Sequence, residues 1–294
     1  MWFPIKLKGD VMVSPRIICG VEIELEYNKN KLSFFPNPYH YDGEPNFLND
    51  FFIMERDGSL MPKFFKNGDV IEFISIPFDI EQGMDVIRSF RDYFRKFGEL
   101  KKVINFNNTT GAHMHLSVLN ADKFGLSPIS FRGRTYSFFG TKILFREAVS
   151  IKLLNKIKSL LVREVKKKLP EVFPTWYRSL TRPYAQALDE SCFYTDRRRE
   201  WNLTLKNRVE FRAFNLRGVK TWSQFTKIYS ILFKVIRKVI FAEFEKPRPF
   251  KSEFGFSVER TTPIILNENH AVRLLKPKRR RRYKVEVRDS GVII

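Results

Sequence analysis

The chain has 294 residues, 43% of them hydrophobic, including 30 Phe, 10 Tyr and 4 Trp. This composition is enough to bury a substantial core, and it excludes an intrinsically disordered chain. The 53 Lys and Arg exceed the 32 Asp and Glu, and the resulting charge of +21 favours acidic partners such as nucleic acid without identifying one.

The cysteines and the apolar segments indicate in which cellular compartment the protein is expected. Cys19 and Cys192 form no CxxC pair, so neither a disulfide framework nor a zinc knuckle is indicated. The first residues lack the apolar core of a secretory signal, and the longest apolar segment, from Ile228, is interrupted by Lys234 and two further basic residues. We therefore expect a cytoplasmic protein that does not insert into membranes.

The first half of the chain predicts two strands and a helix. Residues 16–27 and 70–76 are rich in alternating or clustered β-branched and aromatic residues, which is typical of strands. Between them, LSFFPNPYHYDGEPNF at 32–47 contains three prolines and a DG pair and is predicted to be a long loop, and RDGS at 56–59 predicts a turn. From Asp79 to Lys96, apolar residues recur at intervals of three and four, which predicts a helix with Asp79 as its N-cap.

The second half predicts a strand from Gly111 to Val118 and a helical zone from about Lys142 to Lys168. Residues 202–214 are predicted to form a hairpin or two short strands, and a long helix follows from Thr221 to about Glu245. This order of elements is typical of an α+β fold with a mostly antiparallel sheet and helices covering one face.

The domain organisation follows from the same order of elements. No Gly/Ser-rich or Pro-rich linker divides the middle of the chain. We expect residues 1–245 to form one catalytic domain, with a helical insertion at about 140–190. Residues 246–294 lose periodicity and are predicted to be a basic C-terminal extension.

The segment GVEIELEY, residues 20–27, alternates acidic and apolar residues. On a strand, the α-carbons of Glu22 and Glu24 lie about 6.6 Å apart on one face, so their carboxylates can bind or bridge neighbouring hard cations. The alternative is an acidic strand that faces water. Glu26 continues the alternation.

Three further segments repeat this pattern. GAHMHLSV places His113 and His115 on one strand face, in a chain with only four histidines. Glu72 begins an apolar run, where the alternative is a solvated charge at a strand entry. NRVEFRAF places Arg208, Glu210 and Arg212 on one face, where the glutamate can hold a cation and the arginines can bind phosphate; the alternative is a surface ion pair.

Together, these segments predict that one sheet presents a hard-cation site beside a phosphate-binding pair. The residues expected on its concave surface are Glu22, Glu24, Glu72, His113 and Glu210.

Five segments in this order resemble the amidoligase family of the glutamine synthetase and glutamate–cysteine ligase superfamily. They are GVEIE, ERDGSL, EFISIP, GAHMHLSV and NLTLKNRVEFRAF, and they span about residues 20–215. The resemblance implies an ATP-dependent carboxylate–amine ligase with the fold of a glutamine synthetase catalytic domain. In that fold, a curved, mostly antiparallel sheet carries helices on its convex face and two or three Mg²⁺ ions on its concave face.

Matched by position, the resemblance implies five metal ligands: Glu22, Glu24, Glu72, His113 and Glu210. It further implies that Arg212, together with Arg208, stabilises the transferred phosphate. ATP or substrate contacts are implied for Ser59, His115, Asn202 and Arg212. Asp57 is a candidate for the base that deprotonates the amine. The family often has Tyr near this Asn, whereas here Trp201 directly precedes Asn202. Glu26 falls outside the motif, and we assign it no role.

The implied reaction starts with attack of a substrate carboxylate on the γ-phosphate of ATP. An amine then displaces the acyl phosphate, so no protein nucleophile is required, and catalysis depends on positioning and charge neutralisation.

Two basic runs are not explained by this resemblance. KPKRRRRYK at 276–284 and DRRRE at 196–200 predict polyanion binding, with solvated charge runs as the alternative. In the first run, the residues expected to bind are Arg279, Arg280, Arg281 and Arg282. Two functions therefore stay open. One is a ligase, which could act on a peptide or another macromolecule. The other is a ligase-like scaffold that binds nucleic acid or assembles into a larger particle without catalysis.

Overall fold

The computed structural model describes most of the chain between Pro15 and Phe244, together with two later residues. The ranges are 15–34, 47–120, 126–131, 134–143, 151–180, 201–202, 208–212, 214–244 and 273–274. Within these ranges, the fold contains both helices and strands. Every described pair of strands is antiparallel. This agrees with the predicted α+β class.

Twelve strands are described, and they form two sheets. In chain order they are β1 (Pro15–Asn28), β2 (Phe52–Glu55), β3 (Gly68–Ser75), β4 (Phe78–Asp79), β5 (Ile104–Asn105), β6 (Ala112–Asn120), β7 (Leu126–Phe131), β8 (Arg134–Phe139), β9 (Thr141–Ile143), β10 (Trp201–Asn202), β11 (Val209–Phe211) and β12 (Arg273–Leu274). The main sheet has the order β10-β11-β6-β1-β3-β2, with β4 and β5 paired to β1 and β9 paired to β6. The small sheet has the order β12-β8-β7.

Five α-helices are described: α1 (Gly83–Arg95), α2 (Leu100–Val103), α3 (Ile151–Lys168), α4 (Phe173–Leu180) and α5 (Trp222–Phe244). A 3₁₀ turn, Ile80–Gln82, precedes α1, and the Asp79 side chain accepts a hydrogen bond from the Glu81 N–H at 3.1 Å. Asp79 therefore caps the 3₁₀ turn that leads into α1, whereas the residue at the N-cap position of α1 itself is Gln82. None of the helices in the described part of the chain combines the length and apolarity needed to span a membrane.

The alternation in β1 separates two environments. Val21, Ile23 and Leu25 are fully buried in the main core, together with apolar residues of α1, α3 and α5. Between the helices, the ring of Phe225 in α5 stacks on Phe90 in α1 at 5.5 Å between centroids. Helices therefore cover one face of the main sheet, and the polar residues of β1 occupy the other.

The small sheet packs on the polar face of the main sheet. Tyr136 and Phe138 of β8 form a second apolar cluster with Ile18 of β1 and Leu119 of β6. Because side chains alternate along a strand, Ile18 lies on the same face as Glu22. The small sheet thus closes one end of the polar face.

Two elements differ between the prediction and the structure. Strand β2, which pairs with β3, was not predicted; it lies between the predicted loop at 32–47, most of which is outside the described residues, and the predicted turn at 56–59. The prediction of a helix from about Lys142 was wrong at its start, because Thr141–Ile143 pairs with the end of β6 and the described helix begins at Ile151. In both cases the partner strand is distant in sequence, so local periodicity does not reveal the pairing. The predicted C-terminal extension lies outside the described residues except for β12, and the domain boundaries stay a prediction.

Candidate metal centre

Strand register brings the predicted ligands onto one face of the main sheet. Glu22 of β1 lies opposite His113 of β6, and Glu24 lies opposite Glu72 of β3. Glu210 of β11 lies opposite His115, two residues along β6. Since directly paired residues in an antiparallel sheet project from the same face, these side chains share one surface.

Glu22, His113 and Glu210 form the tightest group on this face. His113 Nδ1 lies 3.0 Å from Glu22 Oε2 and 3.4 Å from Glu210 Oε1. One candidate ligand atom from each residue lies within 4.8 Å of the other two. The Glu22, His113 and Glu210 side chains are 20%, 12% and 7% exposed, so the group has limited access to water.

The donor set fits a divalent cation. Cation–ligand distances near 2.0–2.2 Å place the ligand atoms of one ion about 3–4 Å apart, and the observed spacing is close to this. The two carboxylates suit either Mg²⁺ or Mn²⁺, and the imidazole favours Mn²⁺, because Mg²⁺ prefers oxygen ligands. Hence Glu22, His113 and Glu210, three of the five residues predicted as ligands, form a candidate metal-binding triad, and their role as ligands stays a prediction.

The electrostatics of the triad are those of a buried, negatively charged site. Burial lowers the pKa of His113, but the hydrogen bond to Glu22 and the charges of Glu24, Glu22 and Glu210 outweigh it and raise the pKa to about 9. For Glu22, burial alone raises the pKa, yet the hydrogen bonds to His113 and His115 hold it well below its usual range. Without another cation, His113 therefore carries the compensating positive charge.

Glu24 and Glu72 lie beside the triad and are less well compensated. Burial is the main cause that raises the pKa of each carboxyl group, and the charge of Asp57 adds to the effect at both. At Glu72, the charges of Glu22 and Glu24 raise the pKa further, well above its ordinary value. The Glu72 side chain forms no hydrogen bond or ion pair with the described residues. A buried carboxylate of this kind is suited to binding a cation.

Glu55 is a further acidic residue of this face that the sequence analysis did not single out. It lies opposite Glu72 in the register of β2 and β3 and is 5% exposed. The available signal was its position as the first residue of ERDGSL, directly before the matched turn. Three buried glutamates therefore lie side by side on neighbouring strands: Glu55 on β2, Glu72 on β3 and Glu24 on β1.

Glu26, which falls outside the matched motif, has a structural role. It is fully buried, and its carboxylate accepts hydrogen bonds from the backbone N–H groups of Lys63, Phe64 and Phe65 at 2.7–2.9 Å. The Asn107 side chain donates a further bond at 2.8 Å. Glu26 thus anchors the loop of residues 56–67 on the polar face.

Glycine allows a close approach at Gly111, which lies beside Glu24. Its N–H donates to Glu24 Oε2, and a Cβ at this position would lie 3.1 Å from both Glu24 Oε2 and His113 Nε2. Any larger residue would push these two side chains apart. Gly111 is therefore part of the geometry of the candidate site.

His115 lies two residues after His113 on β6 and contacts Glu22 of the triad. Its Nε2 lies 2.7 Å from Glu22 Oε1, and its buried Nδ1 has no hydrogen-bond partner in the described structure. Because a carboxylate only accepts, Nε2 carries the proton in this pair. His115 therefore fixes the orientation of Glu22, whereas a role in ATP or substrate binding stays a prediction.

The residues of the DGS turn lie at the edge of the site. Asp57 Oδ1 accepts a hydrogen bond from the Ser59 N–H at 2.8 Å, which closes a local turn, and Ser59 itself is exposed. The effect of the Asp57 charge on Glu24 and Glu72 shows that Asp57 lies near them. The roles of Asp57 and Ser59 toward the substrates stay a prediction.

The two arginines of β11 and its flanks differ in exposure. Arg212 Nε lies 3.4 Å from Glu210 Oε1 and its side chain is 35% exposed, whereas Arg208 is exposed. The backbone of Asn202 pairs with Glu210. The basic runs at 196–200 and Arg279 to Arg282 lie outside the described residues.

Comparisons with known proteins leave the family open. No protein-family model and no curated protein matches the chain. Among solved structures, the chain is similar to the glutamine synthetase of Plasmodium falciparum, with a TM-score of 0.33 and 10% sequence identity. The match covers 76% of this chain and 52% of that chain, so this chain spans about half the length of the glutamine synthetase. A TM-score below 0.5 does not establish a shared fold or activity.

Proposed function

We propose that the protein is an ATP- and magnesium-dependent carboxylate–amine ligase that acts through an acyl phosphate and has a glutamine synthetase-like fold. One observation carries the proposal: residues from all five motif segments between positions 20 and 215 lie on or beside a single polar sheet face. Nothing in their sequence order alone requires this placement. Helices cover the other face, as the resemblance to amidoligases implies.

The acidic residues divide into two groups that suit two cations. Glu22, His113 and Glu210 would hold one ion, and Glu24 and Glu72, with Glu55 beside them, offer carboxylates for a second. Mg²⁺ held by these residues would neutralise the charge of the ATP phosphates. The incompletely compensated charge of Glu24 and Glu72 supports this assignment.

The other polar residues would position the reacting groups. Arg212 borders Glu210 and is partly exposed, so its guanidinium can donate to a phosphate while its Nε faces the carboxylate. Arg208 would add positive charge from the solvent side. Asp57, held by its turn with Ser59 near Glu24 and Glu72, would accept the proton that the amine loses before it attacks the acyl phosphate.

Metal binding is the first test, because it does not require the substrates. Titration calorimetry with Mg²⁺ and Mn²⁺ should show binding that Glu22→Gln and Glu210→Gln weaken at least tenfold, as expected when a charged ligand is removed. Glu164→Gln, on the solvent side of α3, is the matched control and should bind as the wild type does. Unchanged affinity in both ligand variants would refute the metal centre.

The second test is trapping of the acyl phosphate. The wild-type protein, ATP and Mg²⁺ are incubated with hydroxylamine and a panel of carboxylates, and hydroxamate and ADP are measured. The ligase predicts hydroxamate with at least one carboxylate, and the Glu22→Gln variant should form none. A wild-type protein that binds divalent cations but not Mg-ATP would exclude the ligase and leave the ligase-like scaffold.

A further inference from the structure

Helices α3 and α5 pack against each other on the side of the main sheet opposite the metal centre, and both are strongly basic. Helix α3 carries seven Lys and Arg against one Glu, and α5 carries four against one. The two helices together therefore account for a large part of the positive charge of the described residues. The candidate metal centre uses none of these residues.

Three of the exposed cations on each helix follow one stripe, whereas the exposed Lys168 and Arg237 lie off the stripes and pair with Glu164 and Glu81. Both stripes have the same spacing, seven residues and then four, and their members are Lys156, Arg163 and Lys167 on α3 and Lys227, Lys234 and Lys238 on α5. At 3.6 residues per turn, this spacing keeps the three side chains of a helix on one side over about 16 Å. All six are exposed.

These charges are largely uncompensated. Lys156 and Lys167 on α3, like all three stripe lysines of α5, form no ion pair with the described residues, and Arg163 approaches Glu164 only to 3.8 Å. By contrast, in α1 Arg88 and Arg91 pair with acidic neighbours at 3.1 and 2.8 Å. Like charges four residues apart repel, so the stripes cost helix stability unless an anion binds to them.

An exposed aromatic ring lies at one end of the α3 stripe. Lys166 lies over the Phe173 ring at 5.9 Å, and Phe173 stacks on Tyr177 at 5.1 Å between centroids. Tyr177 is 43% exposed and is followed by the exposed Arg178. Aromatic side chains beside cations are typical of surfaces on which nucleic-acid bases stack.

We propose that this basic face, formed by the two stripes and Tyr177, binds single-stranded nucleic acid. Phosphates contact the stripes, and one base stacks on Tyr177. An anionic membrane is the less suitable partner, because surface helices insert several large apolar side chains, and in the described parts of α3, α4 and α5 Tyr177 is the one large hydrophobic residue that is well exposed. The basic face is independent of the ligase proposal, because it lies across the sheet from Glu22.

The test is fluorescence anisotropy of the full chain with a labelled oligothymidylate of about 20 nucleotides, at several KCl concentrations. The stripe variant combines Lys227→Gln, Lys234→Gln and Lys238→Gln. We expect at least tenfold weaker binding, and a slope of log K against log salt reduced by about 2, since each lost phosphate contact on a single strand contributes about 0.7. Tyr177→Ala should weaken binding about tenfold, and Tyr177→Phe should not.

A matched control removes the same charge elsewhere, with Lys31→Gln, Lys96→Gln and Lys101→Gln, all at exposed positions outside α3 and α5. It should bind within about threefold of the wild type. Equal losses in the stripe and control variants would overturn the proposal, because net charge alone would then explain binding. The proposal would also be overturned if replacement of Arg279 to Arg282 abolished binding while the stripe variant bound normally. A third contrary outcome is a stripe variant that loses affinity for anionic vesicles but not for the oligonucleotide.

Discussion

Glu24 lies directly opposite Glu72 in the register of β1 and β3, and both carboxyl groups are buried. Two like charges at a cross-strand pair destabilise a sheet. The pair is therefore understandable if the site binds a cation that compensates both charges. Without a cation, the pair reduces the stability of the fold.

The first prediction concerns this pair. Because burial and neighbouring acids raise the pKa of Glu72, its ionised form disfavours folding, and Glu72→Gln should stabilise the protein at pH 8 in the presence of a chelator. We expect a gain of about 1 kcal/mol in urea denaturation, together with weaker Mn²⁺ binding. A loss of stability in chelator would contradict this account of Glu72.

The second prediction concerns pH. The pKa of His113 is raised to about 9 from an ordinary value of 6.5, so its protonation stabilises the folded state. That contribution is complete below pH 6.5 and is lost as the pH rises through about 9. In chelator, the free energy of unfolding should fall by at most about 3 kcal/mol over this interval.

His113→Gln provides the control for this titration, since it should remove most of the pH dependence. Divalent cations compete with the proton, so the stabilisation by Mn²⁺ should increase over the same interval. Stability that is constant from pH 6.5 to 9 in chelator would contradict the raised pKa.

The third prediction uses two glycines. Gly111→Ala places a Cβ 3.1 Å from Glu24 Oε2 and His113 Nε2, so we expect about tenfold weaker Mn²⁺ binding with a stability change below about 1 kcal/mol. At Gly20 a Cβ would meet His115 Cβ and Ser75 Oγ at ordinary distances of 3.8 and 4.0 Å. Gly20→Ala should therefore bind normally, and similar affinities in the two variants would argue against a close approach at Gly111.

The fourth prediction concerns Glu26. Glu26→Gln places an amide donor among the backbone N–H groups of Lys63, Phe64 and Phe65, so the buried bonds that hold the loop are partly lost. We expect destabilisation by about 2–4 kcal/mol and faster proteolysis within residues 56–67. Wild-type stability and protection from cleavage would show that the carboxylate does not anchor the loop.

Sequence patterns predicted the parts of the fold with strong local periodicity. Strict alternation in β1 identified which face carries Glu22 and Glu24, and the intervals of three and four located α1 and α5. Residues 202–214 were predicted to form a hairpin or two short strands, and the described parts of this segment are two short strands, β10 and β11, which pair antiparallel. Of the five residues predicted as ligands, Glu22 and Glu24 lie on β1 and Glu210 on β11, and the register of β3 and β6 brings Glu72 and His113 to the same face.

The missed features depend on partners that are distant in sequence. Strand β2 has only four residues, FIME, with no alternation, and its pairing with β3 makes it a strand. Glu55 was overlooked for the same reason. Glu26 appeared unimportant because its partners, the backbone groups of Lys63 to Phe65, leave no pattern in the sequence.

The division of β1 into an acidic face and an apolar face limits how this strand can change in length. One residue inserted between Gly20 and Glu26 would exchange the two faces beyond the insertion and place carboxylates in the aromatic core beneath α5. It would also bring Ile23 and Leu25 to the metal centre. Substitutions of one apolar residue for another are therefore tolerable in this strand, but insertions and deletions of single residues are not.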